Sequence, residues 1–307
     1  MNTALLFPGQ GSQRVGMGRD LAVAHDVAHL TYEEADHVLG FSLSKLCFEG
    51  PEDELTLTKH TQPAILTTSI AVFRALLEKG LRFDIVAGHS LGEWSALVAA
   101  GAMQLRDAVR LTHLRGTYMQ EAVPVGEGAM AALIGLDLAA TRAVCERATQ
   151  PGEVVEPANL NGGGQIVISG HVAAVERAMA DAKTAGAKLA KKLPVSAPFH
   201  CSLMKPAAEK LAAAMADVMI SAPSVPVVAN VTAEPTRDPG RIKELLIQQV
   251  TAPVRWEESI QTIAKLGVVR AYELGSGAVL KGLIKKIAPS IEVTTIGEPH
   301  EVAAFNA

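Results

Sequence analysis

The sequence predicts an α/β protein: a mainly parallel sheet covered by helices, interrupted by an inserted βαββαβ unit of ferredoxin-like type. Three observations predict it. Short apolar runs alternate with longer stretches of three- and four-residue apolar spacing, the strand–helix order that builds a parallel sheet. From about Gly126 the order becomes strand, helix, strand, strand, helix, strand, before the first pattern resumes. The composition of the 307 residues, 49% hydrophobic and 20% charged, suits one large core with a second small one. The expected limits are residues 1–125 and 196–307 for the large domain and 126–195 for the small one.

The first strand is Ala4-Leu5-Leu6-Phe7, stopped by Pro8-Gly9-Gln10-Gly11-Ser12-Gln13. That loop has the glycines of a phosphate loop and lacks the Lys-Ser/Thr that finishes one, so it reads as a tight turn carrying backbone N–H groups, that of Gln10 among them, towards another site. Asp20–Leu39 and Thr61–Lys79 carry helical spacing, and Gly80 ends the second. Ile85-Val86-Ala87 is the next strand, Glu93–Ala100 and Leu105–Ala122 the next helices. In the small domain, Ala129–Ile134, Val154–Asn159, Gln165–Ser169 and Lys188–Pro194 are strands, and Leu138–Thr149 and Val172–Ala185 are helices; Gly162-Gly163-Gly164 is its central hairpin turn. The large domain resumes with helix Leu203–Met219, strand Val225–Asn230, helices Gly240–Val250 and Trp256–Leu266, strand Val268–Glu273 and helix Ala278–Ile287. The tail from Glu298 is expected to be loosely held.

Composition excludes several functions. A net charge of −4 with a pI near 6.2 argues against nucleic acid or membrane-surface binding. No apolar run approaches the ~18 residues of a membrane span, and Met1–Phe7 is unlike a signal peptide, so a cytoplasmic protein is expected. Cys47, Cys145 and Cys201 are few and scattered, fitting reduced thiols and neither a disulfide framework nor a metal site. His25 and His29 have the four-residue spacing of metal ligands, but no third ligand is close in sequence; they read as a solvated helix face, and no metal is expected.

The chemistry centres on Gly88-His89-Ser90-Leu91-Gly92. A strand that turns into a helix through Gly-x-Ser-x-Gly holds its serine at the apex, because the glycines leave no side chain to block the strained turn. Ser90 is therefore a candidate nucleophile beside a helix N-terminus that favours developing negative charge. His200, in Val195-Ser196-Ala197-Pro198-Phe199-His200 at the return from the small domain, is the candidate base, and the neighbouring Cys201 reads as packing. Together they are the core of acyl transfer through a covalent acyl-enzyme. The oxyanion hole would use the N–H of Leu91 and a second donor from an early loop, for which Gln10 is available. No acid stands out to orient His200 among Asp107, Asp137 and Asp181. Arg115 lies on the apolar stripe of its helix, where an arginine must snorkel, pair with a buried acid or wait for an anionic ligand; its forked charge makes a carboxylate the natural partner.

Phe7–Gln13, Thr61-Gln62-Pro63-Ala64, Gly88-His89-Ser90-Leu91-Gly92-Glu93, Arg115-Gly116 and Ala197-Pro198-Phe199-His200, in this order from Phe7 to Leu283, resemble malonyl-CoA:acyl carrier protein transacylases. The resemblance implies a hydrolase-like α/β domain with a ferredoxin-like insertion and a ping-pong transfer of malonyl from coenzyme A to the phosphopantetheine thiol of acyl carrier protein. It implies that Ser90 carries malonyl as an ester, that His200 is its base, that Arg115 binds the malonyl carboxylate and that Gln10 and Leu91 supply the oxyanion donors. It also implies that the main chain of Gln249 orients His200, in place of the missing acid, and that Asn159 and Asn161 line the cleft between domains. Leu91 and Phe199 look like the malonyl-selective members of the wider family, a bulky ring leaving less room for an α-methyl group; Trp94 replaces a tyrosine or phenylalanine with no functional change attached.

No cofactor is expected, since the coenzyme A thioester and the carrier's phosphopantetheine are both substrates. The partners expected are malonyl-CoA and acyl carrier protein, the chain acting as a monomer. Lys183, Lys188, Lys191 and Lys192, or Lys281, Lys285 and Lys286, would face the acidic carrier, unless they are simply solvated. The competing readings are a serine esterase or thioesterase, a non-catalytic docking subunit, and an acyltransferase dedicated to a polyketide synthase or malonate decarboxylase carrier.

Overall fold

The computed structural model describes residues 2–195 and 197–306; the predicted domain boundary at Ser196 and the chain ends Met1 and Ala307 lie outside the described residues. Among the described residues ten strands form two sheets. They are β1 Thr3–Phe7, β2 Ile85–Gly88, β3 Gly128–Ile134, β4 Val155–Gly162, β5 Gln165–His171, β6 Leu189–Lys192, β7 Val227–Val228, β8 Pro235–Thr236, β9 Arg270–Leu274 and β10 Glu292–Ile296.

The first sheet has the order β10-β9-β1-β2-β7-β8 and is parallel except for the edge pair β7–β8. Successive side chains of a strand point to opposite faces, and in β1 both faces are apolar. Leu5 and Phe7 join a large cluster with helices Thr58–Glu78, Gly92–Ala99 and Leu105–Glu121, whereas Ala4 and Leu6 join a second with Trp256, Ile260 and Leu280. A strand buried on both sides in this way reads as a continuous hydrophobic run.

The second sheet is antiparallel, in the order β4-β5-β3-β6. Helices Leu138–Ala148 and Val172–Thr184 cover one face, packing Val144, Val175 and Ala178 against Ala129, Ala131 and Leu133. The alternate residues Met130, Ala132 and Val167 face the large core. One strand is stitched to the main body: Asn159 forms a parallel bridge with Val254, whose N–H donates to Ala158 O at 2.9 Å and whose carbonyl accepts from Leu160 N–H at 2.8 Å. In the β4–β5 turn Gly163 and Gly164 both have positive φ, 60° and 74°, the sign a tight two-residue hairpin requires.

The structure corrects the sequence expectation in several places. The helix expected over Asp20–Leu39 is two, Arg19–Ala24 and Asp26–Leu39, broken where His25 is extended at φ −137°; His29 sits beside Glu33 on an exposed face. The helix expected over Leu203–Met219 is a 3-10 turn, Ser202–Met204, and a helix Lys205–Ala214, because the chain beyond turns back for Ser221 and Ser224 N–H to reach the carbonyls of Ala102 and Ala100. The strand expected over Val225–Asn230 pairs only at β7, since Asn230 N–H is taken by the Glu93 side chain. Helices Leu43–Glu49 and Glu52–Thr56 and strand β10 were not legible at all. Nor is the tail loose. Helix Pro299–Ala304 is closed by a reciprocal capping box of Glu298 and Glu301 and anchored by buried Val302 and Phe305, the latter edge-on to Tyr272 at 5.4 Å.

Among the described residues no helix is long and apolar enough to cross a membrane. Deleting residues 299–307 should lower stability by about 2–4 kcal/mol through exposure of these two anchors and their pockets, measurable by urea denaturation.

Candidate active site

Ser90 sits at the carboxyl end of β2, just before helix Gly92–Ala99, with φ 52°. That left-handed backbone is strained for a residue with a Cβ. The flanking glycines make it attainable. A Cβ on Gly88 would lie 1.9 Å from the carbonyl carbon of Gly92, and one on Gly92 would lie 2.0 Å from Phe7 O. Asn230 locks the turn, its Oδ1 accepting from Ser90 N–H at 2.7 Å and its Nδ2 donating to Gly88 O at 2.7 Å.

His200, also at a positive φ of 59°, brings Nε2 to 2.7 Å from Ser90 Oγ. Its Nδ1 lies 2.9 Å from the main-chain carbonyl of Gln249. A carbonyl only accepts, so Nδ1 carries the ring proton and Nε2 is free to take the proton of Ser90. The carbonyl thus does the orienting that an aspartate does in a hydrolase triad. Burial first, and the nearby Arg115 charge second, push His200 down to about 3, which keeps it neutral as a base must be.

Arg115 is 1% exposed. Gly116 allows its helix to approach the Thr58–Glu78 helix so closely that a Cβ there would lie 2.5 Å from Thr58 O. Across that contact Nη1 donates to Gln62 Oε1 at 2.7 Å, while Nη2 donates to Gln249 Oε1 at 3.0 Å and to Ser90 Oγ at 3.3 Å. Its Nε is buried without a partner among the described residues. Two amide oxygens therefore hold a guanidinium that no carboxylate neutralises directly. Burial lowers it to about 10, so it stays charged at neutral pH.

Gln10 and Leu91 line the same cleft, of about 110 Å³, with Phe199, Asn159, Met119, Met130, Leu193 and Val195. The loop after β1 reaches it because Gly9 packs on the His89 carbonyl, 2.4 Å from where a Cβ would stand. Among the described residues neither the Gln10 nor the Leu91 N–H is taken by another group. Asn161 is not on the cleft wall: its Oδ1 meets His89 Nε2 at 2.8 Å, and His89 packs edge-on to Trp256. Cys201 is buried, its Sγ donating to Pro198 O. The seven lysines are exposed; Lys286 lies against Gly163, and Lys188 against Gly135 beside Gly164, while Lys192 pairs with Glu176.

Sequence reasoning missed the roles of Gln62, Asn230 and Glu93. Gln62 and Glu93 stand inside the motifs; a polar residue before a proline mid-helix was the available signal for Gln62. Pro63 leaves the Lys59 carbonyl without its helical donor, and His113 Nδ1 supplies one at 2.8 Å. Asn230, at the end of an apolar run, offered no signal. No group of three or more His, Cys, Asp or Glu side chains among the described residues is placed to hold a metal ion.

Residues 4–285 match the family model described as an acyl transferase domain. The chain is 49% identical over 302 residues to the malonyl CoA-acyl carrier protein transacylase of Escherichia coli K12, covering 98% of this chain and 97% of that protein. It is 50% identical over 299 residues to the protein of the same name from Bacillus subtilis, covering 97% and 94%. Among solved structures, the acyl-carrier-protein-S-malonyltransferase of Bartonella henselae superposes with a TM-score of 0.96 at 50% identity, covering 99% and 98% of the two chains. A malonyl-transacylase in complex with a type II polyketide synthase acyl-carrier protein also superposes at 0.96, with 45% identity over 99% and 98%.

Because His200 is held neutral, it has a definite pH signature. Between its ordinary 6.5 and about 3, the unfolded chain binds a proton at this ring that the folded chain does not, so folded stability falls as pH falls through that window. Buried Glu93, pushed up to about 7, acts with the opposite sign from pH 7 down to 4.5. It is present in both proteins of a comparison between the parent and His200→Ala, and cancels. Denaturation at pH 7 and pH 5 should show His200→Ala losing less stability on acidification than the parent.

Proposed function

The chain belongs to the acyl transferase domain family, and from that premise we propose that it transfers malonyl from malonyl-CoA to the phosphopantetheine thiol of an acyl carrier protein, by way of an ester on Ser90. Its relatives' names support the substrates, and the geometry supports the steps. Ser90 Oγ–H gives its proton to His200 Nε2 as the oxygen attacks the thioester carbonyl. The oxyanion lies against the N–H groups of Leu91 and Gln10. The intermediate collapses, the coenzyme A thiol leaves with the proton from His200, and malonyl stays on Ser90. The carrier thiol then enters, gives its proton to His200 and attacks the ester; Ser90 Oγ leaves with that proton, and malonyl stays on the carrier sulfur. Every proton and electron pair is accounted for by Ser90, His200 and the two thiols.

The observation that carries the malonyl reading is Arg115, a fully buried fixed charge 3.3 Å from the nucleophile, held by amides and with a donor to spare. A hydrolase acting on neutral esters has no use for that charge. The malonyl carboxylate would take the free side of the fork, and the Phe199 ring would limit branching at the α-carbon. Asn159 would border the acyl chain on the small-domain side, and Asn161 would act on it indirectly, by holding His89. Residues 126–195 serve as the small domain that walls the cleft. Nucleophile, base and clamp all come from one chain, so the site needs no residue from a second copy. Lys188 and Lys286, on either side of one hairpin, are the lysines placed to meet an acidic carrier, beside Asp137, Glu257 and Glu258 that line the same hollow.

Brief incubation with malonyl-CoA should give a malonyl adduct that peptide mass spectrometry assigns to Ser90, and Ser90→Ala should give none. Arg115→Ala should reduce malonyl transfer about 100-fold or more while changing acetyl transfer less than about tenfold, as expected for loss of charge-assisted hydrogen bonds to one substrate only. Equal losses would remove the carboxylate clamp.

A further inference from the structure

Glu93 is 3% exposed, one residue into the helix after the elbow, and the acyl-transfer steps above make no use of it. Its Oε2 accepts from Asn230 N–H at 3.0 Å and from Gln249 Nε2 at 2.7 Å. Buried carboxylates are expected to pair with a buried arginine where one is close, and Arg115 is close enough for each to feel the other's charge. Yet the Gln249 amide stands between them, giving its nitrogen to Glu93 and its oxygen to Arg115 Nη2.

A glutamine amide has nearly the same shape with its ends exchanged, and only its partners decide which end points where. Exchanged, Gln249 would turn an NH2 group on the guanidinium and an oxygen on the carboxylate, two repulsive contacts. It would also lose the bond from Nε2 to Ser90 O at 3.0 Å. In its ionised form Glu93 offers only acceptor oxygens, and Asn230 N–H fixes where the bonded one lies. We infer that Glu93 is a positioning residue: by accepting from Gln249 it fixes the amide end that faces Arg115, and so aims the guanidinium at the acyl carboxylate without pairing with it. A direct ion pair would satisfy Arg115 and compete with the substrate. The intervening amide keeps the charge near its counter-ion and leaves the fork open. The bond from His200 to Gln249 runs through the main chain and does not depend on this amide.

The inference rests on the malonyl reading, and one set of measurements separates the two. Steady-state constants with malonyl-CoA are compared with the rate at which a small neutral sulfonyl fluoride labels Ser90, a reaction that needs His200 and no carboxylate clamp. Glu93→Ala and Glu93→Asp, the second keeping the charge but withdrawing the acceptor, should each raise the malonyl-CoA KM about 30-fold and change labelling less than about threefold. Glu93→Gln, whose amide oxygen can still accept from Gln249 and Asn230, should restore the KM to within about threefold of the parent. Three results would overturn the inference: labelling falling in step with malonyl transfer, Glu93→Gln as impaired as Glu93→Ala, or no variant changing the malonyl KM. Should Glu93→Ala fail to fold, the Asp and Gln variants decide by the same criteria. If the parent itself forms no malonyl-Ser90, the malonyl reading fails whatever Glu93 does.

Discussion

A permanent positive charge inside the protein, with no carboxylate bound to it, is the constraint that the rest of the site is built around. Taking a guanidinium out of water costs several kcal/mol unless its donors are met. At Arg115 they are met in part, by Gln62 on one helix and Gln249 at the end of another, with a third bond to Ser90 Oγ, while Nε has no partner among the described residues. Neutral acceptors relieve the desolvation only in part, and the remainder is what a bound anion would recover. The same charge acts on its surroundings, reinforcing the burial that keeps His200 unprotonated. One residue thus sets the charge that an incoming acyl group would meet and helps to keep the His200 ring neutral.

How far the sequence discloses such a site depends on whether a feature leaves a local trace. The elbow does, because a strained serine between a strand and a helix demands small neighbours within two residues on either side, as Gly88 and Gly92 show. Arg115 does, because a charge on an apolar helical stripe is visible as a break in periodicity. The βαββαβ unit does, because its two helices and four strands each carry a clear period. Asn230 leaves none: its partners, Ser90 and Gly88, lie 140 and 142 residues away, and nothing in Val-Ala-Asn-Val marks it. Gln249 as base-orienter came from family resemblance alone, since a main-chain carbonyl has no side-chain identity to read. What its side chain does is visible only in the fold, where it meets Glu93 and Arg115.

The misread elements have a common cause. Alanine-rich spacing promised a long helix after Leu203, and apolar residues promised a long strand before Asn230, but tertiary hydrogen bonds claimed the backbone first. Propensity is a weak prior beside such bonds. The tail shows the converse. Polar residues around Glu298 look like an end that frays, whereas two of them close a reciprocal cap and two apolar residues beyond find pockets in the core.

The bridge between β4 and Val254 bears on evolvability. It joins the inserted sheet to the main body only a few residues past Gln249, so the wall carrying Met130 is tied by backbone hydrogen bonds to the segment that orients His200. Backbone bonds are indifferent to side-chain identity. Side chains along that wall are therefore free to drift while the spacing between wall and base stays constant, and the cleft behaves as a gauge of fixed aperture whose facing can be changed. New acyl preferences can then arise by substitution on the inserted sheet without re-aligning the reacting groups.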